Sequence, residues 1–259
     1  MTKHPLSQIH PDAIIAPDVE IGPFVYIDKN VEIGAGTKIY SNVTILEGAR
    51  IGEKCRLFPG AVVGAIPQDL KFKGEETLAI IGNSTTIREC ATVNRGTIAK
   101  GKTVMGDNCL LMAYSHVAHD CIIGNNVIIA NATQLAGEVE IDDFAIIGGG
   151  TLVHQFCRIG SHVMVQGGSK IPKDIPPYII AAREPVSYGG VNSIGLKRRG
   201  FTNEQINLIQ DVYRIIFQSK LNTTNAIAKV LETIPETPES ELIISFVKSS
   251  DRGIIKGFL

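Results

Sequence analysis

Apolar side chains recur every six residues along most of the first two thirds of the chain. An α-helix repeats every 3.6 residues and a flat strand every 2, so a long, strict period of six fits neither element alone. The period is typical of a solenoid in which each short strand and its corner use one hexapeptide. The 25 positions form three series: Ile9, Ile15, Ile21, Ile27, Ile33, Ile39, Ile45, Ile51, Leu57 and Val63; Ile81, Ile87 and Val93; and Met105, Leu111, Val117, Ile123, Ile129, Leu135, Ile141, Ile147, Val153, Ile159, Val165 and Ile171.

A second set of side chains, all small or β-branched, lies two residues before the long ones and runs from Ala13 to Ser169. Because side chains two apart point to the same face of a strand, both sets are predicted to face the interior. Glycine often follows the long residue, which predicts corners with unusual backbone dihedral angles. Three hexapeptides make one triangular turn, so the pattern predicts about eight turns and a prism roughly 40 Å long.

The hexapeptide pattern is interrupted twice without losing its phase, at residues 65–80 and 94–104. We expect each interruption to be a loop extruded from an intact coil, either as a tolerated surface insertion or as part of a site. In the second interpretation, the polar residues Gln68, Asp69, Lys71 and Lys73 of the first loop form an arm over a site.

The pattern changes after Ile171, where a Pro-rich segment closes the coil. Thr202 and Gln205 have the spacing of a capping box at a helix N-terminus, and apolar residues follow at helical spacing. Asn222 or Thr223 is expected to begin a second helix, and residues 242–247 indicate a third. We therefore predict a β-helix over residues 1–189 and a small α-helical domain over residues 190–259 that covers the open end of the coil.

The composition is nearly neutral, with 25 basic and 26 acidic side chains, so it indicates neither a nucleic-acid partner nor an anionic membrane. The N-terminal residues show no secretory signal, and no stretch reaches the ~18 apolar residues of a membrane span. Four of the five cysteines occupy the small inward position and predict buried thiols in a reducing compartment, which favours a cytoplasmic protein. These are Cys55, Cys109, Cys121 and Cys157, whereas Cys90 lies outside that position.

Four of the six histidines lie between residues 116 and 162, all outside the inward positions. Residues 18 apart share a column on adjacent turns, so His119, Gly137 and Gln155 are predicted to lie a few strand spacings apart. A neutral imidazole takes a proton from a hydroxyl near neutral pH, and a glycine amide can donate to an oxyanion. No Ser or Cys shares the column, so this group favours direct acyl transfer from a thioester to a hydroxyl without an acyl-enzyme.

Other interpretations remain open at this point. The histidines can be surface residues without a role, or His116 and His119 with His154 or His162 can bind zinc, as in hexapeptide-repeat hydratases. A purely structural β-helix would need no clustered histidines, and an ice binder of this fold would show regular outward threonine arrays, which this sequence lacks. The basic run at residues 197–199 is either a solvated face or a contact for phosphate or an acidic partner.

Several segments resemble one enzyme family, the UDP-N-acetylglucosamine acyltransferases that catalyse the first step of lipid A biosynthesis. The hexapeptide repeat itself resembles the left-handed parallel β-helix family, and the handedness is taken from that resemblance. The segments are QDLK at 68–71, RECATVNRGT at 88–97, HVAHDC at 116–121, GEVEIDDFAIIGG at 137–149, VHQFC at 153–157, HVMV at 162–165 and GLKRRGF at 195–201.

The resemblance implies transfer of a 3-hydroxyacyl chain from acyl carrier protein to the glucosamine 3-hydroxyl of UDP-N-acetylglucosamine. It implies a homotrimer with sites between subunits, no metal, and no cofactor beyond the phosphopantetheine of the carrier. His119 would be the general base, and the backbone N–H of Gly137 would hold the oxyanion. Gly167, with Met164, would be the ruler at the end of the acyl tunnel, where a small residue leaves room for a long chain.

The resemblance also assigns binding residues. Those expected to line the sugar-nucleotide site are Gln68, Asp69, Lys71, His116, Glu138, His154 and Gln155. Asn192, Arg198 and Arg199 would contact the nucleotide phosphates or the phosphopantetheine. Glu138 and Ile194 depart from the family pattern, which often has His and Glu there, so the choice between UDP-N-acetylglucosamine and its 3-amino analogue stays open.

Overall fold

The computed structural model describes residues 2–257, which form short strands followed by four helices. The strands are β1 (Thr2–Lys3), β2 (Gln8–Ile9), β3 (Ile14–Ile15), β4 (Glu20–Ile21), β5 (Tyr26–Ile27), β6 (Glu32–Ile33), β7 (Lys38–Ile39), β8 (Thr44–Ile45), β9 (Ala49–Ile51), β10 (Arg56–Leu57), β11 (Val62–Ala65), β12 (Leu78–Ile81), β13 (Thr86–Ile87), β14 (Thr92–Asn94), β15 (Lys102–Met105), β16 (Leu110–Leu111), β17 (His116–Val117), β18 (Ile122–Ile123), β19 (Ile128–Ile129), β20 (Gln134–Leu135), β21 (Glu140–Ile141), β22 (Ile146–Ile147), β23 (Leu152–Val153), β24 (Arg158–Ile159), β25 (Met164–Val165), β26 (Lys170–Ile171), β27 (Ile179–Ala182) and β28 (Ser187–Val191). The helices are α1 (Ser193–Arg198), α2 (Asn203–Gln218), α3 (Thr223–Thr233) and α4 (Pro238–Lys248).

The strands stack into three sheets that form the faces of a triangular prism. The first sheet has the order β1-β4-β7-β10-β13-β16-β19-β22-β25-β27-β28, the second β2-β5-β8-β11-β14-β17-β20-β23-β26, and the third runs from β3 to β24 through every third strand. Pairing is parallel throughout except between β27 and β28. The fold is a left-handed parallel β-helix with a small C-terminal helical part, which confirms the predicted fold class.

The interior of the prism is built from the two predicted inward sets. Val25 and Ile27 are 1% and 0% exposed, and the same burial recurs turn after turn. Ile9 and Ile15, in the first turn, are only partly buried because, within residues 2–257, no turn covers them on the N-terminal side. Uniform aliphatic burial therefore provides the main stabilisation of the coil.

Most of the glycines that follow the long residues have a different role from the one predicted, whereas Gly64 has the expected positive φ, 86°. Gly82 and Gly148 do not adopt positive φ; instead, a Cβ on either would lie 2.4 Å from an atom of the next turn. Positive φ occurs two residues later, at Ser84 and Gly150. The glycines are therefore required by the close approach of stacked turns, and most left-handed corners tolerate other residues, including Phe144 and His162.

Both long insertions leave the prism at the same corner, between the second and third sheets. Residues 66–77 connect β11 to β12, and residues 95–101 connect β14 to β15. The same corner is formed in later turns by residues 118–121, 136–139 and 154–157. We call this corner, with its two insertions, the loop edge.

The C-terminal part covers the end of the coil. Thr202 and Gln205 form the predicted capping box of α2, and Asn222 caps α3. The buried Tyr213 of α2 donates a hydrogen bond from its hydroxyl to the Pro177 carbonyl at 2.6 Å. Helix α1, capped by Asn192, was not predicted from the sequence, and strand β28 spans residue 190, where the sequence analysis placed the boundary. Within residues 2–257, none of the helices has the length and apolar character needed to cross a membrane.

Candidate active site

The loop edge brings together the predicted column of His119, Gly137 and Gln155 on successive turns. Backbone hydrogen bonds link the corners: the Glu138 N–H donates to the His119 carbonyl at 3.0 Å, and the Phe156 N–H to the Gly137 carbonyl at 3.2 Å. The two insertions extend from the same edge, in the turns that precede His119. The insertions and the column of His119, Gly137 and Gln155 therefore lie on one side of the molecule.

His119 is oriented by the adjacent carboxylate. Its Nδ1 lies 2.8 Å from Oδ2 of Asp120, and the His119 side chain is 18% exposed whereas that of Asp120 is 0% exposed. A buried carboxylate accepts hydrogen bonds, which places the imidazole proton on Nδ1. The lone pair of Nε2 is then left to accept a proton from a bound molecule.

The carboxylate of Asp120 is itself fixed by the second insertion. Its Oδ1 accepts from the Thr97 N–H at 2.9 Å and the Lys100 N–H at 3.3 Å, and its Oδ2 accepts from the Thr97 hydroxyl at 2.6 Å. Lys100 also forms an ion pair with Glu140 at 2.9 Å, which fastens the loop to the third sheet. The loop of residues 95–101 thus fixes the carboxylate that orients the imidazole of His119.

Gly137 packs directly on the imidazole. A Cβ at this residue would lie 2.5 Å from Cε1 and 2.6 Å from Nε2 of His119, so any side chain would displace the ring. Glycine is therefore required at position 137 because the imidazole of His119 leaves no space for a side chain.

The N–H of Gly137 has no hydrogen-bond acceptor among residues 2–257, while those of Ala136 and Glu138 on either side donate to carbonyls. At the corner between the third and first sheets, the equivalent N–H groups are capped by side chains of the next turn. There, the Asp107 N–H donates to Asn125 Oδ1 at 2.8 Å and the Asn125 N–H to Asp143 Oδ1 at 2.7 Å. Gly137 thus presents an uncapped donor beside the imidazole of His119.

His116 lies on the second sheet next to the loop edge. Its Nδ1 is 2.7 Å from the Thr92 hydroxyl, and burial, with a smaller effect of His119, lowers its pKa. His116 is therefore held neutral near pH 7, where it can exchange hydrogen bonds with a polar ligand.

The other predicted sugar-site residues also lie on this side. Asp69 Oδ1 accepts from the Lys71 N–H at 2.9 Å within the first insertion, where Gln68 and Lys71 are exposed. His154 and Gln155 are exposed in the next corner, with His154 Nδ1 3.1 Å from the Gln155 carbonyl. Glu138 is half-buried in a left-handed corner with φ of 60°.

The remaining predicted residues lie at other edges of the same chain. Asn192 is 8% exposed and donates from Nδ2 to the His162 carbonyl at 2.9 Å. Arg199 donates to the Phe144 carbonyl at 3.0 Å and stacks on the Phe144 ring at the corner between the third and first sheets. Burial lowers the pKa of Arg199.

Arg198 is exposed at the end of α1. Gly167 is exposed at the corner between the first and second sheets, and Met164 is half-buried on the outer face of the first sheet. One chain alone therefore does not bring these residues to His119.

The sequence analysis missed Asp120, Thr97 and Lys100. The carboxylate directly after His119, at a corner, was a signal for an orienting partner. The contributions of Thr97 and Lys100 depend on how the loop folds back, for which the sequence has no periodic signal. Within the described part of the chain, no group of three or more His, Cys, Asp or Glu side chains is arranged to hold a metal ion.

Comparison with known proteins identifies the families that this chain resembles. Residues 174–255 match the family model "Udp N-acetylglucosamine O-acyltransferase; Domain 2", residues 102–137 match the bacterial transferase hexapeptide model, and residues 4–108 match the GMPPB C-terminal domain. The acyl-[acyl-carrier-protein]–UDP-N-acetylglucosamine O-acyltransferase of Thiobacillus denitrificans is 46% identical over 98% of this chain and 99% of its own length.

Solved structures are similar over nearly the whole chain. The UDP-N-acetylglucosamine acyltransferase of Bacteroides fragilis is 58% identical with a TM-score of 0.97, covering 98% of this chain and 99% of its own. The enzyme of the same description from Francisella novicida is 39% identical with a TM-score of 0.96, covering 98% and 94% respectively.

Proposed function

Because the chain belongs to the UDP-N-acetylglucosamine acyltransferase family, we propose that it transfers a 3-hydroxyacyl chain from acyl carrier protein to the 3-hydroxyl of UDP-N-acetylglucosamine, the first step of lipid A biosynthesis. The observation that carries the proposal is the contact of three groups: the Asp120 carboxylate lies on Nδ1 of His119, and Gly137 packs against Cε1 and Nε2 of the same ring. These are a base, its orienting acid and an oxyanion donor.

The proposed reaction uses these three groups in turn. Nε2 of His119 takes the proton of the sugar 3-hydroxyl while that oxygen attacks the thioester carbonyl. The carbonyl oxygen becomes an oxyanion and accepts a hydrogen bond from the N–H of Gly137. Collapse of the tetrahedral intermediate breaks the C–S bond, and the imidazolium returns its proton to the leaving thiolate. The Asp120 carboxylate stabilises the imidazolium in between.

Direct attack by the sugar is favoured over an acyl-enzyme. The cysteine nearest in sequence to the base, Cys121, is 0% exposed, and burial raises the pKa of its thiol to about 12. A buried thiol of this kind carries almost no thiolate at neutral pH and is a poor nucleophile.

The acceptor is proposed to bind along the loop edge. Asp69, Lys71 and Gln68 approach it from the first insertion, His116 from the second sheet, and Glu138, His154 and Gln155 from the following corners. These side chains offer hydrogen-bond donors and acceptors for the sugar hydroxyls, and Lys71 offers a positive charge for a phosphate. Asn192, Arg198 and Arg199 are proposed to contact the nucleotide phosphates or the phosphopantetheine.

A homotrimer is proposed because the predicted site residues occupy different edges of one prism. Packing the loop edge of one copy against another face of a second copy would bring them together, as in a closed cyclic assembly. The outer face of the first sheet carries a half-buried apolar ladder in strand register: Leu110, Ile128, Ile146, Met164 and Ile180. This ladder, with Gly167 beside it, is suited to an acyl chain or to subunit contact.

The donor carries its own phosphopantetheine, so the proposal needs no other cofactor. The five cysteines are free thiols in the structure, which is compatible with the proposed cytoplasmic location.

The test is a mass-spectrometric assay with UDP-N-acetylglucosamine, its 3-amino analogue and 3-hydroxyacyl carrier proteins of several chain lengths. We expect one acylated sugar nucleotide per thiol released, and His119→Ala should lower kcat about 10²–10⁴-fold. His10→Ala, at the opposite end of the coil, is the matched control and should retain full activity. The proposal fails if no carrier donates to either sugar, or if the His119 variant keeps more than a third of the rate.

A further inference from the structure

An aromatic side chain of the first insertion, residues 66–77, lies against an arginine of the second insertion, residues 95–101. The guanidinium carbon of Arg95 is 5.4 Å from the centre of the Phe72 ring, within the range of a cation–π interaction. Within residues 2–257, the hydrogen bonds formed by residues 68–76 all stay inside the first insertion. The contact of Phe72 with Arg95 is therefore the one polar or ring interaction that ties this segment to the rest of the described chain.

The two ends of the first insertion are fixed independently of that contact. Asn94 donates from Nδ2 to the Ile66 carbonyl at 3.1 Å, and the Thr77 hydroxyl donates to the Gly96 carbonyl at 2.6 Å. Asn94 and Thr77 are both buried. The ends of the insertion are thus held whether or not Phe72 is in place, and the ring bears on the segment between them.

Phe72 is also part of the tight turn that carries two predicted binding residues. The Phe72 N–H donates to the Asp69 carbonyl at 3.0 Å, and the Lys71 N–H donates to Asp69 Oδ1 at 2.9 Å. Residues 69–72 therefore move as one unit. Wherever the ring of Phe72 is held, the side chains of Asp69 and Lys71 are placed with it.

Arg95 is built as a rigid support for this ring. It is 8% exposed, its N–H donates to the Ala65 carbonyl at 2.9 Å, and its Nη1 donates to the Glu47 carbonyl at 3.2 Å. Glu47 lies in the corner of the loop edge before the first insertion and Arg95 in the corner after it. The side chain of Arg95 therefore crosses the base of the first insertion, where Phe72 rests on it.

The guanidinium of Arg95 is incompletely paired for a buried cation. Its Nε is buried and has no hydrogen-bond partner in the described part of the chain, and the Glu47 carboxylate is 3.9 Å from Nη1. Burial of a charged group with few partners is costly, and an aromatic face supplies part of the missing attraction. Stabilisation of the coil alone therefore does not account for an arginine at this position.

The first insertion begins two turns before the candidate base. Strand β11 pairs with β14, β14 pairs with β17, and His119 follows β17. At about 4.8 Å for each stacked strand, the separation along the loop edge is about 10 Å. An insertion held against the edge keeps Asp69 and Lys71 at a constant distance from His119, whereas a released insertion pivots about its two ends.

We propose that Arg95 is a positioning residue that acts through the ring of Phe72 to hold the first insertion in place for the sugar nucleotide, an inference that rests on the proposed function. Arg95 does not touch the substrate. It fixes the turn of residues 69–72, so that Asp69 and Lys71 meet UDP-N-acetylglucosamine without a prior rearrangement.

The test compares three variants of the full-length protein. Phe72→Leu keeps an apolar side chain but removes the aromatic face, whereas Phe72→Tyr keeps that face. Phe58→Leu is the matched control, because it removes a ring 4.5 Å from the guanidinium of Arg88 at the corner between the first and second sheets.

The kinetic readout separates KM from kcat. We expect Phe72→Leu to raise the KM for UDP-N-acetylglucosamine about three- to tenfold, because the acceptor must select the held arrangement from a mixture. Its kcat and its KM for the acyl carrier protein should stay within twofold of wild type. Phe72→Tyr and Phe58→Leu should stay within twofold in all three constants.

A second readout does not depend on turnover. Trypsin cleaves after Lys71 and Lys73 of the first insertion, and mass spectrometry measures the rate of each cut. We expect cleavage about tenfold faster in Phe72→Leu than in wild type, and unchanged in Phe72→Tyr and Phe58→Leu, because a released segment fits a protease more readily.

Each outcome decides the matter. In an active enzyme, an unchanged KM for the sugar nucleotide in Phe72→Leu, or an equal rise in Phe72→Tyr or Phe58→Leu, overturns the role of Arg95 and leaves the proposed function intact. If the wild type transfers nothing, faster cleavage confined to Phe72→Leu supports the hold of Arg95 on the first insertion while the proposed function falls. Equal cleavage of all four proteins overturns that hold as well.

Discussion

Replacing Asp120 by asparagine tests whether the carboxylate sets the tautomer of the base. The two oxygens of Asp120 have separate partners: Oδ1 accepts from the N–H groups of Thr97 and Lys100, and Oδ2 from the Thr97 hydroxyl and from Nδ1 of His119. An asparagine that keeps its oxygen at the Oδ1 position places its amide NH₂ against Nδ1. His119 must then accept there and carry its proton on Nε2, where it no longer acts as a base.

The substitution is expected to lower kcat strongly and the free energy of unfolding only slightly. Without a correctly protonated base, kcat should fall about 10²–10⁴-fold, which corresponds to about 3–5 kcal/mol of transition-state stabilisation. The left-handed backbone at Asp120, with φ of 60°, suits asparagine, and the Thr97 hydroxyl can rotate to accept from the new NH₂. The free energy of unfolding should therefore change by about 1 kcal/mol.

The assay is steady-state turnover of the single variants and of His119→Ala/Asp120→Asn, with thermal unfolding as the control for folding. Residues that act as one unit are non-additive, so the double variant should be no slower than His119→Ala alone. An Asp120→Asn enzyme with more than a third of wild-type kcat, or losses that simply multiply in the double variant, would refute the reasoning.

Three further predictions concern other parts of the molecule. Gly137→Ala should displace the His119 ring and lower kcat on the order of 100-fold, with the thermal midpoint nearly unchanged; normal turnover would contradict the packing of Gly137 on the base. Gly167→Met should shift the preferred acyl chain to a shorter one in kcat/KM across a ladder of acyl carriers, by roughly fourfold for each methylene excluded. Gly167→Ala, the matched control, should shift it less, and an unchanged ladder for both would place the chain end elsewhere. Burial, with the charge of Arg199, lowers the pKa of His162 from 6.5 to about 4, so below pH 6.5 the unfolded chain binds a proton that the folded chain resists. The thermal midpoint should therefore fall as pH drops from about 6.5 to about 4, and His162→Phe should lose part of that dependence.

The elements predicted correctly are those in which one physical requirement repeats. Val25, Ile27 and their equivalents had to face inward because each turn buries the same positions, and His119 had to stack on Gly137 because the period is 18 residues. Helices α2 and α3 were recognised by their caps, Thr202 and Asn222.

The features that were missed depend on non-repeating contacts. Thr97 meets Asp120 across 23 residues through a loop with no period, and α1 has only six residues, too few for a helical pattern. Most of the corner glycines were predicted for the wrong reason, because a sequence shows that Gly82 is small but not that an atom of the next turn would lie 2.4 Å from a Cβ there.

The two ends of the coil are protected unequally, and this determines where the molecule opens first. In the described part of the chain, strands β1, β2 and β3 begin the three sheets with exposed or half-buried residues and no turn before them, whereas the last turns are joined to β28 and the helices. In a solenoid each turn contacts only its neighbours, so opening can proceed turn by turn from an unprotected end. Amide hydrogen exchange should accordingly form a gradient, fastest near Gln8 and slowest beyond His119. The N-terminal turns can therefore open repeatedly without disturbing the proposed active site, which lies on turns that open later.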